Sequence, residues 1–160
     1  MIPRVLLLAL VALALPACGY STRPLTLNDS RTVALAIFEN TTVRRGHEFD
    51  LTNAVARMLH ARTPYRVASQ DQADLILSGT ILGYYTPALV EDRRDVVIES
   101  SVSITLNVSI ADRSGKVVYQ GSATRSAHFS TRRGESEESA RAEVLDALAR
   151  WVVTTLEGTW

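Results

Sequence analysis

The sequence predicts an α+β fold, a two-layer sandwich of about four mainly antiparallel strands with two helices on one face, in the order β-α-β-β-β-α. Three observations carry that reading. From Val96 to Ala111 the residues Ile98, Val102, Ile104, Leu106, Val108 and Ile110 alternate with Ser101, Ser103, Thr105, Asn107 and Ser109. Period two with one apolar and one hydroxyl-rich face describes an antiparallel strand covered on one side only. Two other segments, about His47–Arg62 and Ser136–Leu156, repeat apolar residues at helical spacing. Between the alternating segment and a second extended run, Lys116 to about Phe129, lies Asp112-Arg113-Ser114-Gly115, a hairpin turn with glycine where positive φ costs least.

In chain order, Arg31 to Phe38 reads as the first strand, apolar on both faces through Val33, Leu35 and Ile37 alternating with Ala34, Ala36 and Phe38. Glu39-Asn40-Thr41-Thr42 is expected to end it. The first helix carries Leu51, Val55, Met58, Leu59 and Arg62 on one side and stops before Pro64. Tyr65–Ala68 reads as a short strand, Asp71–Asp74 as a turn, and Leu75–Tyr85 as a strand in which Gly79 and Gly83 mark a bulge or a close backbone approach. Thr86–Arg94, with Pro87 and four charges, reads as a polar connection. The sixteen residues of the alternating strand would reach roughly 54 Å, longer than most, which predicts a bend or an overhang. In the last helix Glu137 and Glu138 suit the first turn. Ala140, Val144, Ala147, Leu148, Trp151 and Thr155 form the stripe there, widened by Leu145, Val152 and Leu156.

The N-terminus is of a different kind. Arg4 and the apolar run Val5–Leu15 have the anatomy of a secretory signal, too short to span a bilayer as a helix. Leu15-Pro16-Ala17-Cys18 resembles the bacterial lipobox, with Pro16 a less usual residue two before the cut. That resemblance implies cleavage after residue 17, a diacylglyceryl group on the Cys18 thiol and a third acyl chain on its amine. Two or more chains anchor a protein stably where one does not. Gly19 in place of Asp favours the outer membrane by the same resemblance. The expected organisation is a signal over 1–17, a lipidated connector over 18–30 and one domain over 31–160.

Composition narrows the classes. The 17 basic and 17 acidic residues balance, and losing Arg4 with the signal shifts the net charge to only −1, so no electrostatic case exists for nucleic acid. With the single cysteine acylated, no thiol remains for a disulfide, redox pair or metal site. The histidines His47, His60 and His128 are isolated, and no metal or nucleotide motif is present. The N-x-S/T matches at Asn28, Asn40 and Asn107 arise readily by chance. The sequence points to no enzyme, no cofactor and no metal.

The order of elements, together with Cys18-Gly19-Tyr20, "VALAIFEN", "EFDLTNAVARML", "YRVASQDQADLILSGTILGY", "VSITLNVSIAD" and "RSGKVVYQG", resembles the LPS-assembly lipoprotein family LptE. The resemblance covers essentially the whole mature chain and rests on apolar positions plus Ala73-Asp74 and Gly79. It implies a lipoprotein that plugs a large LptD-type β-barrel one to one, supports that barrel's folding and contacts lipopolysaccharide. The face formed by Ser101, Ser103, Thr105, Asn107 and Ser109 is neither greasy nor charged, as a barrel lumen would require. It reads equally well as an ordinary solvated sheet face. For lipopolysaccharide phosphates, which arginine grips in a fork, the candidates are Arg93, Arg94, Lys116, Arg132 and Arg133, each of which also reads as ordinary surface charge. The first half, "VALAIFENTT" through "ADLILSGTI", also resembles the CsgG and LpoB type, lipoproteins that serve a secretion channel or a peptidoglycan synthase. The short connector and the second half favour lipopolysaccharide export.

Overall fold

The computed structural model describes residues 31–91 and 97–158. In chain order the elements are β1 (Thr32–Leu35), β2 (Glu39–Asn40), α1 (His47–Arg62), β3 (Arg66–Val67), β4 (Leu75–Tyr85), β5 (Ala88–Glu91), β6 (Val97–Asp112), β7 (Val117–Ser130), a 3-10 turn (Thr131–Arg133) and α2 (Glu137–Gly158). The two-layer α+β plan and its two helices are as expected. The signal and connector, with Cys18, and the loop residues Arg93 and Arg94 lie outside the described residues.

All the strands belong to one sheet built on β6. β7 pairs along one side of it, from Glu99 opposite Ser130 to Ala111 opposite Val117. On the other side β4 pairs antiparallel, from Leu75 opposite Asp112 to Tyr85 opposite Ser103, and β5 continues the same line with Ala88 opposite Ser100. The segment expected to be a polar connection therefore contains a strand. Pro87 and the flanking charges hide it from the pattern, and two register shifts within four residues remove its alternation. This also accounts for the length of β6. It does not overhang at the hairpin, where β4 already pairs with Asp112; its extra length at the other end is taken up by β5.

Beyond β4 the sheet turns parallel. β1 and β2 both run parallel to β4, and β3 runs parallel to β1. Parallel neighbours need a crossover, and α1 supplies it. The first strand breaks at Ala36–Phe38, before Glu39 rather than at it, because Phe38 leaves the strand line to enter the core. Its ring is 2% exposed, and its N–H donates to Thr52 Oγ1 of α1 at 3.1 Å. Gly79 makes the room: a Cβ there would stand 2.6 Å from both Phe38 Cε1 and the Asn107 carbonyl oxygen. The register shift between Ile81 and Gly83 is the expected bulge, and it turns Leu82 outward.

Val102, Ile104, Leu106, Val108 and Ile110 of β6 are fully buried under Leu51, Val55 and Leu59 of α1 and Val144, Leu148, Val152 and Leu156 of α2. Each such side chain stabilises the fold by about 1.5–3 kcal/mol relative to exposure. The stripe of α2 is rotated from expectation: Ala149 and Val153 are buried, whereas Trp151 is only partly covered. Helix ends are closed locally. Ser136 and Ser139 cap α2 reciprocally, Ser139 N–H donating to Ser136 Oγ at 3.2 Å and Ser136 N–H to Ser139 Oγ at 3.1 Å. Asp74 accepts hydrogen bonds from Thr32 N–H at 2.9 Å and Thr32 Oγ1 at 2.8 Å, pinning the start of β1. Those bonds hold its carboxyl below the ordinary range.

Candidate functional site

Since both helices pack on the even-numbered side of β6, the odd-numbered side carries no helix among the described residues. In an antiparallel ladder, residues directly opposite share a face. The rows are therefore Ser78–Ser109–Gln120, Thr80–Asn107–Ser122, Gly83–Thr105–Thr124, Tyr85–Ser103–Ser126 and Ser101–His128. The five β6 residues picked out in the sequence stand together on this surface. The sequence reading missed the β4 and β7 columns, although Gln120, Ser122, Thr124 and Ser126 carry the same alternation; Gly121, Ala123 and Arg125 between them blur its apolar half.

The face is knit laterally through hydroxyls. Ser126 Oγ donates to Ser103 Oγ at 2.9 Å, Thr105 and Thr124 share a hydrogen bond of 2.9 Å, and Ser122 Oγ donates to the Leu106 carbonyl at 3.2 Å. Among the described residues carboxylates come only at its margins, Glu39 accepting from Thr80 Oγ1 at 3.3 Å and Glu99 lying beyond Ser101. Where the first strand breaks, a shallow open hollow of about 280 Å³ indents the face among Ile37, Glu39, Thr80, Asn107, Ser109 and Gln120. Ser101, at 7% exposure, is the one member of the β6 row withdrawn from the surface.

Among the described residues, the cationic candidates do not form one site. Lys116 follows the Asp112–Gly115 turn, where Asp112 Oδ1 accepts from Ser114 N–H, Ser114 Oγ and Lys116 N–H at 2.8, 2.6 and 3.1 Å. Arg132 and Arg133 follow β7 at its other end, thirteen β6 residues away, or roughly 44 Å along the strand. Both are exposed, and Arg133 is held by Glu135 through two bonds of 3.0 Å.

A second polar group joins the two layers. Tyr84 O–H donates to Glu137 Oε1 at 2.8 Å, Arg44 pairs with the same carboxylate and lies 4.8 Å over the Tyr84 ring, and His47 stacks on that ring at 4.8 Å. Burial and the bond to Glu137 push the Tyr84 phenol up to about 12. His47 is 7% exposed, its Nε2 has no partner, and burial followed by the charge of Arg141 lowers its pKa. The group ties α1, β4 and α2 together. Among the described residues no cluster of His, Cys, Asp and Glu could hold a metal ion, and no helix is long and apolar enough to cross a membrane.

The described residues form a two-layer α+β domain with one hydroxyl-rich sheet face opposite its helices. The family described as "LptE: Lipopolysaccharide-assembly" matches residues 30–156, and the chain belongs to that family of non-enzymatic lipoproteins. No curated protein sequence is significantly similar to it. Among solved structures, protein XCC0632 from Xanthomonas campestris is similar with TM-score 0.64 and 14% identity, over 81% of this chain and 84% of that one. The hypothetical protein CT253 from Chlamydia trachomatis follows with TM-score 0.58 and 16% identity, over 81% and 97%. The rare lipoprotein B from Shewanella oneidensis has TM-score 0.55 and 11% identity, over 81% and 96%. These likenesses establish the fold.

Proposed function

We propose that the chain is an outer-membrane lipoprotein, anchored through acyl chains on Cys18 in the inner leaflet, that plugs and helps assemble an LptD-type β-barrel and touches lipopolysaccharide during export. Membership of the lipopolysaccharide-assembly family supports the process. The observation that carries the plugging role is the three-strand face of hydroxyls and amides left uncovered opposite the helices. A barrel lumen is lined by polar side chains, so a surface inside it must exchange water for hydrogen bonds without desolvating charge. Ser103, Thr105, Asn107 and Ser109 meet that condition, with Ser101 at the withdrawn end. The role is one of shape and contact, with no turnover.

Photocrosslinkers at Ser103 and Asn107 test the orientation in cells, with positions on the exposed side of α2 as controls. Adducts to the barrel from the sheet face alone are expected; adducts only from α2 would overturn the assignment. For lipopolysaccharide, Arg132 and Arg133 are both exposed, and Arg93, Arg94 and Lys116 remain candidates from the sequence. Reversing the charges of Arg93/Arg94 and Arg132/Arg133 should weaken binding of purified lipopolysaccharide, and unchanged binding would remove them.

A further inference from the structure

β7 is a fourteen-residue edge strand. Its inner side pairs with β6 from end to end, and among the described residues nothing pairs with its outer side. The direction of its backbone groups follows from the hairpin. Asp112 N–H donates to the Lys116 carbonyl at 2.9 Å and Gly115 N–H to the Asp112 carbonyl at 2.9 Å. Hydrogen-bonded and non-bonded pairs alternate from there, through the register shift at Ile110. Tyr119, Gly121, Ala123, Arg125 and Ala127 then bond to β6. Gln120, Ser122, Thr124, Ser126 and His128 aim both N–H and C=O away from the sheet. One side chain already uses this row: Arg125 Nη1 donates to the Thr124 carbonyl at 2.9 Å. The side chains of the same five residues are exposed.

Edges of this length are ordinarily blunted by proline, bulges or inward charges. β7 has no proline, its register with β6 is continuous from Tyr119 to Ser130, and the one charged side chain within it is Arg125. We infer that the outer edge of β7 is a docking strand, which takes an extended segment of the barrel partner as an added strand carrying an acidic residue near Arg125. The inference rests on the reading of the partner given above. A closed barrel has no free edge of its own, so the added segment is a loop or terminus of that polypeptide and not a wall strand. Main-chain hydrogen bonds supply the affinity in such additions, and the alternate side chains supply the selectivity. A second copy of this chain fits less well. Antiparallel pairing of β7 with itself over its whole free row centres on Thr124 and sets the two Arg125 side chains on one face at diagonal positions about 7–8 Å apart, where like charges repel.

The experiment uses the full mature lipoprotein, alone in detergent and co-purified with the LptD-type barrel of the same bacterium. Hydrogen exchange is read at single amides. Alone, the amides of Gln120, Ser122, Thr124, Ser126 and His128 should exchange freely while those of Gly121, Ala123 and Ala127 are protected. In the complex the first set should slow at least about tenfold. Thr124→Pro removes one outward N–H without touching the β6 ladder and should weaken the complex about tenfold relative to Thr124→Ala, and Arg125→Glu should weaken it as well. Thermal midpoints report whether the variants fold, and exchange in the unaltered chain decides the matter if they do not. A complex that forms with all five amides still open, or binds the proline variant as well as the parent, overturns the docking strand and leaves the plug reading intact. Protection already present in the isolated monomer, or arising in a homodimer, assigns the edge to this chain and overturns it too. Failure of any barrel to co-purify with the unaltered chain removes both proposals.

Discussion

Replacing Gly79 with alanine should unfold this domain more readily than most single methyl groups can. The added Cβ would lie 2.6 Å from the Asn107 carbonyl oxygen, 2.6 Å from Phe38 Cε1 and 2.8 Å from Phe38 Cδ1. Neither neighbour yields easily. The carbonyl belongs to the backbone of β6, and the Phe38 ring is 2% exposed with its N–H tied to Thr52. Overpacking of this kind costs about 1–3 kcal/mol. If the ring is expelled instead, up to about 3 kcal/mol of burial is lost. The gain from stiffening the unfolded chain is smaller, about 0.4–1 kcal/mol. The net expectation is about 1–2.5 kcal/mol, which lowers Tm by roughly 5 °C for a domain of this size. Urea unfolding followed by circular dichroism, on mature protein with Cys18→Ser to remove the lipid, measures it. Phe38→Leu in the same background should return part of the loss, since the clash with the ring is a pairwise term. A Gly79→Ala protein within about 0.5 kcal/mol of the parent would refute the account of why the first strand breaks where it does.

Three further outcomes are expected. His47 has its pKa lowered in the fold from 6.5, so below that value the unfolded chain binds the extra proton first; stability should therefore fall as pH drops from 7 toward 5, and His47→Phe should flatten that slope in urea midpoints taken across the range. Equal slopes in both proteins would contradict the buried, neutral imidazole. Leu148→Ala removes a fully buried contact between α2 and β6 and should cost about 2–5 kcal/mol by the same assay. Thr105→Glu with Asn107→Lys places two charges on the open face and should leave Tm within about 2 °C while abolishing recovery of the barrel in affinity purification, where undiminished recovery would count against the sheet face.

How far the sequence could be read depended on how many faces of each element are buried. β6 is covered on one side only, and its period-two pattern was plain. Likewise His47–Arg62 was legible to the residue, because Gly46 and Pro64 bracket a single apolar stripe. The order of β1 beside β4 was not legible, since strands apolar on both faces carry no record of their neighbours. β5 was lost for another reason: its two register shifts erase the alternation that would have revealed it. Of the candidate site, the β6 row was found through its hydroxyls. The β7 column escaped because small residues under α2 (Gly121, Ala123 and Ala127) replace the bulky apolar partners that make alternation visible. Lys116 and the arginine pairs could not be grouped from sequence, because their distance apart depends on hairpin register.

The sheet divides the two tasks of the molecule between its faces. Folding energy comes from the even-numbered side of β6, where apolar side chains meet both helices, so little stability depends on the hydroxyls opposite. A substitution on the open face can therefore change what the domain binds without changing whether it folds, and a substitution beneath α2 does the reverse. The link between the faces is the Phe38–Gly79 contact, which belongs to the core yet sets the strand break that forms the hollow at Ile37 and Glu39. If Gly79→Ala displaces Phe38, the hollow must change shape along with the stability. A crosslinker at Thr80 in that variant should then lose its barrel adduct at a temperature where the domain is still folded, whereas Leu148→Ala, at least as destabilised, should keep it. Identical crosslinking in the two variants would mean that the hollow plays no part in the contact.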